Sequence, residues 1–501
     1  MSTPITTSWV LALAPEIALV VLLVLVLIYS RVWQDEQRKV GLLTAWGGLA
    51  ILGITFGLWY FFNEPAQLQP ANLADSLFWG GMIRHDLMTL VFRVMFLAAL
   101  VLVSLISVDV KSLQKGEYYA MLIMATIGFS LMAASVDLIM IYVALETASI
   151  SSYILAGFLA NNKRSTEAGM KYFVYGAFAT GVMLYGMSWL YGLTGHTNLY
   201  AIGERLGGIG AASGAEFTVI LLAAVMIIVG FGFKISIVPF HFWAPDVYEG
   251  APTAVTAFIS TASKAAGFAV VLRVFLTGSL GQISFGNSWW SLLVVMSIVT
   301  MVLGNFAAIY QANIKRMLAY SSIAQAGYVL MGLIVLTADG AGAAMFYLLM
   351  YVFTNIAAFG VVILISNVTH SDAMTDLYGL NKRSPNLALV MLFALLSLGG
   401  IPPTAGFIGK FLIFKAAVDV GLWWLAMIGI LNAFVALYYY LNVIKYMYLY
   451  PSAEEAQPIP VSRAAVVGLG VSTVVIILLG TFFAGPAYDW TVTAAGSFFA
   501  G

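Results

Sequence analysis

The groups best suited to chemistry in this chain cluster in residues 217–276. Two apolar runs lie there, and each holds one lysine: Lys234 in the first and Lys264 near the middle of the second. Between them Pro239 and Pro245 interrupt the helical pattern, with His241 and Asp246 beside the break. A charge at the centre of a bilayer helix costs about 2.5–3.5 kcal/mol on insertion scales, so such groups mark a use. Proline frees backbone carbonyls, and inside a membrane these need a partner from protein or water. Titratable groups beside a broken apolar helix suit proton or ion transfer better than anchoring.

Other charges fall into the same pattern. Glu146 lies near the middle of another apolar run. It is either a packing carboxylate or the partner of a buried lysine, because an opposite charge offsets the cost of burial. Lys410 follows the break GGIPPTAG, which places it beside non-helical backbone. Lys171 stands four residues after Glu167, so an interfacial ion pair and a role in proton entry are both open. His241 is a satisfied loop histidine or a proton carrier. Lys234 and Lys264 have a bland reading as ion-pair members or snorkelling stems, although Lys264 is too central to snorkel easily. Arg273 and Arg316, near run ends, read as lipid-interface anchors, and Glu16 takes no role.

The elements that position these groups must be membrane helices. Hydrophobic residues make up 62% of the chain and charged ones 9%, which excludes an ordinary soluble domain. Zero net charge gives no support to nucleic-acid binding. With no cysteine, iron–sulfur and thiolate-metal sites have no ligands, and four histidines without a pair at helical spacing do not favour a haem or histidine metal site. At about 20 residues per span, the apolar runs give fourteen spans, near 9–29, 40–62, 87–107, 118–134, 136–160, 171–195, 217–239, 253–277, 289–311, 318–337, 341–368, 386–418, 423–447 and 463–484. The seventh and twelfth are broken. Loops 63–86 and 196–216 are the longest, and turn formers such as Gly207, Gly208 and Gly210 fill the second.

Lysine and arginine concentrate in the odd loops, while the even ones hold little beyond Arg84 and Arg205. The odd loops are therefore expected to face the cytoplasm, with both termini outside an inner membrane. Spans 7 and 12 each break beside a lysine and are five apart, which suits two inverted five-helix repeats. The expected organisation is three N-terminal helices in 1–117, the repeats in 118–280 and 281–450, and a last helix with its tail in 451–501.

Three segments carry a family likeness: KISIVPFHFWAPDVYEGAPTAVTAF, NIKRMLAYSSIAQAGYVLMG and SLGGIPPTAGFIGKF. They resemble the antiporter-like membrane subunits of respiratory complex I, and the tryptophan and PDVYEG favour the subunit N branch. The resemblance implies an all-α polytopic fold of about fourteen helices with inverted repeats and a polar axis across the membrane centre. Position by position, it implies a proton relay through Glu146 paired with Lys234, then Lys264 and Lys410, with Lys171 also involved. Gln325 stands where many bacterial subunits of this branch have histidine. Glutamine cannot titrate, so a relay there would use water.

The resemblance further implies a subunit without its own cofactor, in a hetero-oligomer with other membrane-arm subunits. That whole complex uses NADH or ferredoxin and a quinone. Two alternatives stand beside this reading: a D-type subunit of a multisubunit cation/proton antiporter, and a structural scaffold of the membrane arm.

Overall fold

An apolar segment in a bilayer can satisfy its backbone N–H and C=O groups only within itself, so each run coils into a helix. The computed structural model describes residues 7–59, 77–209, 215–276, 287–452, 458–496 and 498–499. Its main helices are α1 (Ala14–Val32), α2 (Gln37–Gly57), α3 (Leu87–Ser107), α4 (Gly116–Ala134), α5 (Leu138–Ala156), α6 (Lys163–Thr194), α7 (Ala215–Ile235) and α8 (Thr253–Leu276). There follow α9 (Asn287–Ile309), α10 (Ile314–Ile334), α11 (Ala338–Thr369), α12 (Pro385–Gly399), α13 (Ala405–Asp419), α14 (Trp423–Leu449), α15 (Arg463–Gly480) and α16 (Ala484–Gly496). The chain is an all-α, multi-pass membrane protein. Among the described residues, 13 helices are long and apolar enough to cross a bilayer. The twelfth expected span is instead the two shorter helices α12 and α13.

The bundle is layered by burial. α8 and α11 are enclosed on all sides, and α3 and α10 nearly so, while α1, α2, α6, α14 and α15 turn much of their surface outward. Two stretches of the chain are built alike. α5 starts on Asp137 and α10 on Asn313, each side chain accepting from the first turn of its helix. α6 and α11 each run 32 residues and stop at a left-handed residue, Gly195 and His370. Each return segment then pairs with the cap of the earlier helix, Asn198 with Asp137 and Ala373 with Asn313.

Both expected breaks are present. After α7 the chain turns through 236–242 into a short helix, Trp243–Gly250. The freed Phe233 carbonyl accepts from the indole N–H of Trp243 at 2.9 Å, as a membrane-depth break requires. α12 stops at Gly400, whose φ of 84° favours glycine, and α13 begins at Ala405. Gly406 in the first turn of α13 lies against the Ser397 carbonyl, where a Cβ would overlap the oxygen. Its N–H donates to Ser397 Oγ at 3.1 Å, so the break is braced.

Two loop readings need correction. The segment read as a turn-rich loop holds a helix, Leu199–Ile209, because Leu199, Ile202 and Leu206 recur at helical spacing and are buried. Gly207 and Gly208 are helical, and Gly210 lies outside the described residues. The residues after the last span form α16, packed on α11, with Thr491, Ala494 and Ala495 buried. The boundary expected at 280/281 falls outside the described residues.

Candidate functional site

Lys234 sits in the last turn of α7, directly before the break, and its side chain is buried. Its Nζ donates to Ser149 Oγ at 2.9 Å and lies 5.8 Å from the ring centre of Phe129. Glu146 is one helical turn before Ser149 on α5, on the same face. The expected ion pair is not formed. Glu146 Oε1 has no protein partner, although its charge is near enough to act on Lys234 through space.

Lys264 follows a single π-helical turn, Ile259–Ser263, which interrupts α8. Such turns recur at functional sites because the widened backbone re-aims side chains. Asn355 braces the turn by donating to Ser260 Oγ at 2.7 Å. Lys264 Nζ donates to Ser322 on α10, to Oγ at 2.6 Å and also to its carbonyl. Tyr351 of α11 donates to the same Oγ at 2.8 Å.

Next to Ser322 in the chain, Ser321 starts a hydrogen-bonded row that leads to Lys410; Ser322 meets it only through the backbone. The neighbouring Ser321 hydroxyl meets the hydroxyl of Tyr440 on α14. Gln325 Nε2 donates to Tyr440 Oη at 3.2 Å and to the Leu398 carbonyl at 3.2 Å. Tyr347 donates to the amide oxygen of Gln325. Lys410 Nζ donates to the Leu398 and Gly399 carbonyls at 2.8 and 3.0 Å, so a cation closes the carbonyl end of α12. It also lies 5.0 Å from the ring centre of Tyr328. Gln325 is thus bonded at both ends of its amide by protein groups. Beside Lys410, a cleft of about 280 Å³ lined by Phe407, Phe411 and Phe434 opens at the bundle edge. Among the described residues, none of Lys234, Lys264 and Lys410 is in an ion pair; all three are held by hydroxyls or carbonyls.

Lys171 belongs to a different cluster. Its Nζ is 2.7 Å from both Glu167 and Asp246. Arg316 Nη1 is 2.7 Å from the other Asp246 oxygen and 3.0 Å from Glu249. Arg316 is therefore an ion-pair residue and not a lipid anchor, because the short helix turns Asp246 and Glu249 toward it on one face. Burial favours the neutral acid at Asp246, but hydrogen bonds from Lys171 and Arg316 outweigh it and hold the carboxyl below its ordinary value. The cluster borders a cavity of about 190 Å³. His241 is buried in the break against Phe242, and its Nδ1 has no protein partner. The structure does not join it to the lysine row by a hydrogen bond.

Arg273 also differs from its expected role. It is fully buried, with its two Nη atoms 2.5 and 2.6 Å from Asp86 and its Nε donating to the Ala133 carbonyl at 3.0 Å. Asp86 meanwhile caps α3 through Thr89 N at 2.9 Å and pairs with Arg84 at 3.2 Å. Glu16 is held by Arg93 in a second buried pair at 2.8 Å. His85 lies beside Arg93 at 3.4 Å, and burial with that charge pushes its imidazole down to about 4, so it is neutral at ordinary pH. Among the described residues no cluster of histidine, aspartate and glutamate could hold a metal ion.

Sequence reasoning missed the hydroxyls. Ser149, three residues after Glu146, and the Ser321–Ser322 pair are visible in the sequence. Serine is common in membrane helices, however, and Ser322 is 58 residues from Lys264.

Residues 135–436 match the family model described as NADH:quinone oxidoreductase/Mrp antiporter, transmembrane. The matched segment contains all the relay residues expected from the sequence. The chain is 40% identical to NADH-quinone oxidoreductase subunit N of an Anaeromyxobacter species, covering 95% of each chain. Among solved structures it is similar to a chain of respiratory complex I from Thermus thermophilus. There the identity is 30% and the TM-score 0.75, over 95% of this chain and 98% of that one. A chain of the Mrp complex from a Dietzia species shares the fold, with 20% identity and a TM-score of 0.80, over 99% and 98% of the two chains.

Proposed function

The chain belongs to the subunit N family of NADH-quinone oxidoreductase, and on that premise we propose that Glu146, Lys234, Lys264 and Lys410 form its proton relay. It is a proton-translocating, multi-pass membrane subunit, assembled with other membrane-arm subunits. The observation that carries the relay is the arrangement itself: three buried lysines without ion pairs among the described residues, Lys264 bonded to Ser322, and the next residue, Ser321, starting a hydrogen-bonded row through Tyr440, Gln325 and the Leu398 carbonyl to Lys410.

An amide and a backbone carbonyl do not pass an excess proton along, so the row between Lys264 and Lys410 transmits charge state. In a low dielectric, neighbouring hydrogen bonds polarise one another, and a nearby charge decides whether an amine keeps its proton. A change at Glu146 is felt at Lys234, then at Lys264, then at Lys410. The partnerless Glu146 oxygen suits this role, since its charge is not spent on a fixed ion pair. Lys171, clamped by two carboxylates, sets the potential at the cavity mouth beside it. Electron donor and quinone, with NADH or ferredoxin as the donor, are handled by other subunits.

An inverted-repeat organisation, part of the same proposal, fits this reading. With Lys234 laid on Lys410, Asp137 falls on Asn313, Glu146 on Ser322, Ser149 on Gln325, Lys171 on Tyr347 and Lys264 on Tyr440. Each of these second-half residues except the helix cap lies in the row described above or bonds to it. The first half thus carries the charged members and the second half neutral ones around a single terminal lysine.

One assay tests the relay against a scaffold: proton uptake into vesicles driven by substrate oxidation, with assembly followed on native gels. Lys264→Met is expected to assemble and to abolish most uptake. Tyr440→Phe removes the hydroxyl between Ser321 and Gln325, and is expected to slow uptake about tenfold, at about 1–3 kcal/mol for an orphaned buried polar group. Parent-level uptake in the assembled Lys264→Met complex leaves only the scaffold reading. An antiporter subunit would instead couple uptake to a cation gradient without substrate oxidation.

We also propose an inner-membrane location with both termini outside, on the strength of the odd-loop basic residues. A reporter fused after Gly501 is expected to be active only in an extracytoplasmic format. Activity in the cytoplasmic format overturns that orientation.

A further inference from the structure

Away from the lysine row, a polar cavity of about 680 Å³ opens at the edge of the bundle, where the ends of α1 and α5 meet the start of α4. We propose that it seats the phosphodiester headgroup of an anionic phospholipid, with an acyl chain in the apolar groove that leads away from it. The volume is within the ~300–1,000 Å³ of small-molecule sites. Arg31 from α1 and Lys115 at the start of α4 line it, and among the described residues neither side chain is in an ion pair. Lys115 instead covers the ring of Phe158 at 5.8 Å. Glu117 is the one carboxylate in the wall, so two cations against one anion leave the lining positive.

The glutamines around the cavity serve the backbone. Gln37 donates to the Ser30 carbonyl at 2.9 Å and Gln114 to the Val108 carbonyl at 2.8 Å. They fix the loops and leave Arg31 and Lys115 as the free donors. A guanidinium offers five N–H groups in a planar fork suited to phosphate oxygens.

The groove supplies the other half of the ligand. Val20, Val24, Leu27 and Arg31 recur along one side of α1, and the first three are exposed. α4 packs against both α1 and α5 and turns half-buried Met121 and Met124 outward as a floor. Ile150 and Ile154 of α5 are exposed on its far side. An apolar groove that ends at two unpaired cations fits a molecule with a chain at one end and a negative phosphate at the other. A free phosphate would leave the groove unused, and a neighbouring apolar helix would leave both cations uncompensated. Both cations lie on the lysine- and arginine-rich side of the chain, where basic pockets between helices take lipid headgroups.

The test uses the intact complex in nanodiscs holding phosphatidylglycerol and phosphatidylcholine in equal amounts, with retained lipid counted by native mass spectrometry. The parent complex is expected to keep one more phosphatidylglycerol than the Arg31→Gln/Lys115→Gln complex. The variant's affinity for it is expected to fall about thirtyfold, the loss of two juxtamembrane cations. Lys163→Gln removes a cation on the same side but outside the cavity, and is expected to keep the lipid. Equal retention in the double variant overturns the site, as does equal retention of phosphatidylcholine. Displacement by inorganic phosphate alone would make it a free-anion site, and a protein segment filling the groove would make it a subunit contact; either result also overturns the proposal. No pumping is measured, so the outcome is independent of the relay.

Discussion

Asp86→Ala is expected to remove the subunit from the assembled complex. Asp86 holds Arg273 through two hydrogen bonds, pairs with Arg84 and caps α3, all in a fully buried position. Burial favours its neutral form, but the Arg273 and Arg84 charges together with the hydrogen bonds hold the carboxyl well below its ordinary value. Removing one partner of such a pair costs about 3–5 kcal/mol, because the other charge stays buried without compensation. That is a large part of the roughly 5–15 kcal/mol by which a typical folded protein is stable. The readout is the amount of assembled complex on native gels. Arg273→Met in the same chain removes the deeper of the two charges that Asp86 holds, and is expected to restore part of the assembly, since an apolar replacement of both partners is far cheaper than a half-broken pair. Parent-level assembly of Asp86→Ala alone would show that the cluster holds nothing together.

The difference between this cluster and the lysine row shows what a sequence reveals. Lys234, Lys264 and Lys410 stand out because each is a charge inside an apolar run, and the breaks stand out because proline cannot continue a helix. Both features are local. Arg273 is equally charged, yet it sits near a run end, where snorkelling to the interface is the default. Only its partner distinguishes it, and Asp86 is 187 residues away. Arg316 escapes sequence reading for the same reason, since Asp246 and Glu249 meet it from a different helix. The Glu146–Lys234 relation is only partly legible: the cost of burying two charges brings them near each other, but the hydroxyl that holds Lys234, Ser149, is not singled out by its type. The helix at Leu199–Ile209 was hidden by its glycines, although its buried leucines and isoleucine already kept the helical period.

Lys234→Arg separates a lysine that holds helices together from one that must release a proton. The site accepts a larger cation in one direction. The lysine stem passes close to Gly267 of α8, where an added Cβ would lie 3.2 Å from Cγ, so there is little room on that side. Ahead of it lie Ser149 and the partnerless oxygen of Glu146. The longer arginine, with five N–H donors, is expected to keep the Ser149 bond and to pair with Glu146. Insertion and assembly are therefore expected at the parent level. Pumping is not: a guanidinium has a pKa above about 12 and stays charged in proteins, whereas burial readily brings a lysine into the working range. A fixed charge paired to Glu146 freezes the first member of the relay, and Lys264 then receives no change to respond to. The expected result is an assembled complex that still oxidises substrate but takes up few protons per electron. Lys234→Ala gives the control, since it removes the charge and leaves half-buried Glu146 without the cation that acts on it. An arginine complex that pumps at the parent ratio of protons to electrons would rule out deprotonation of Lys234 as a required step.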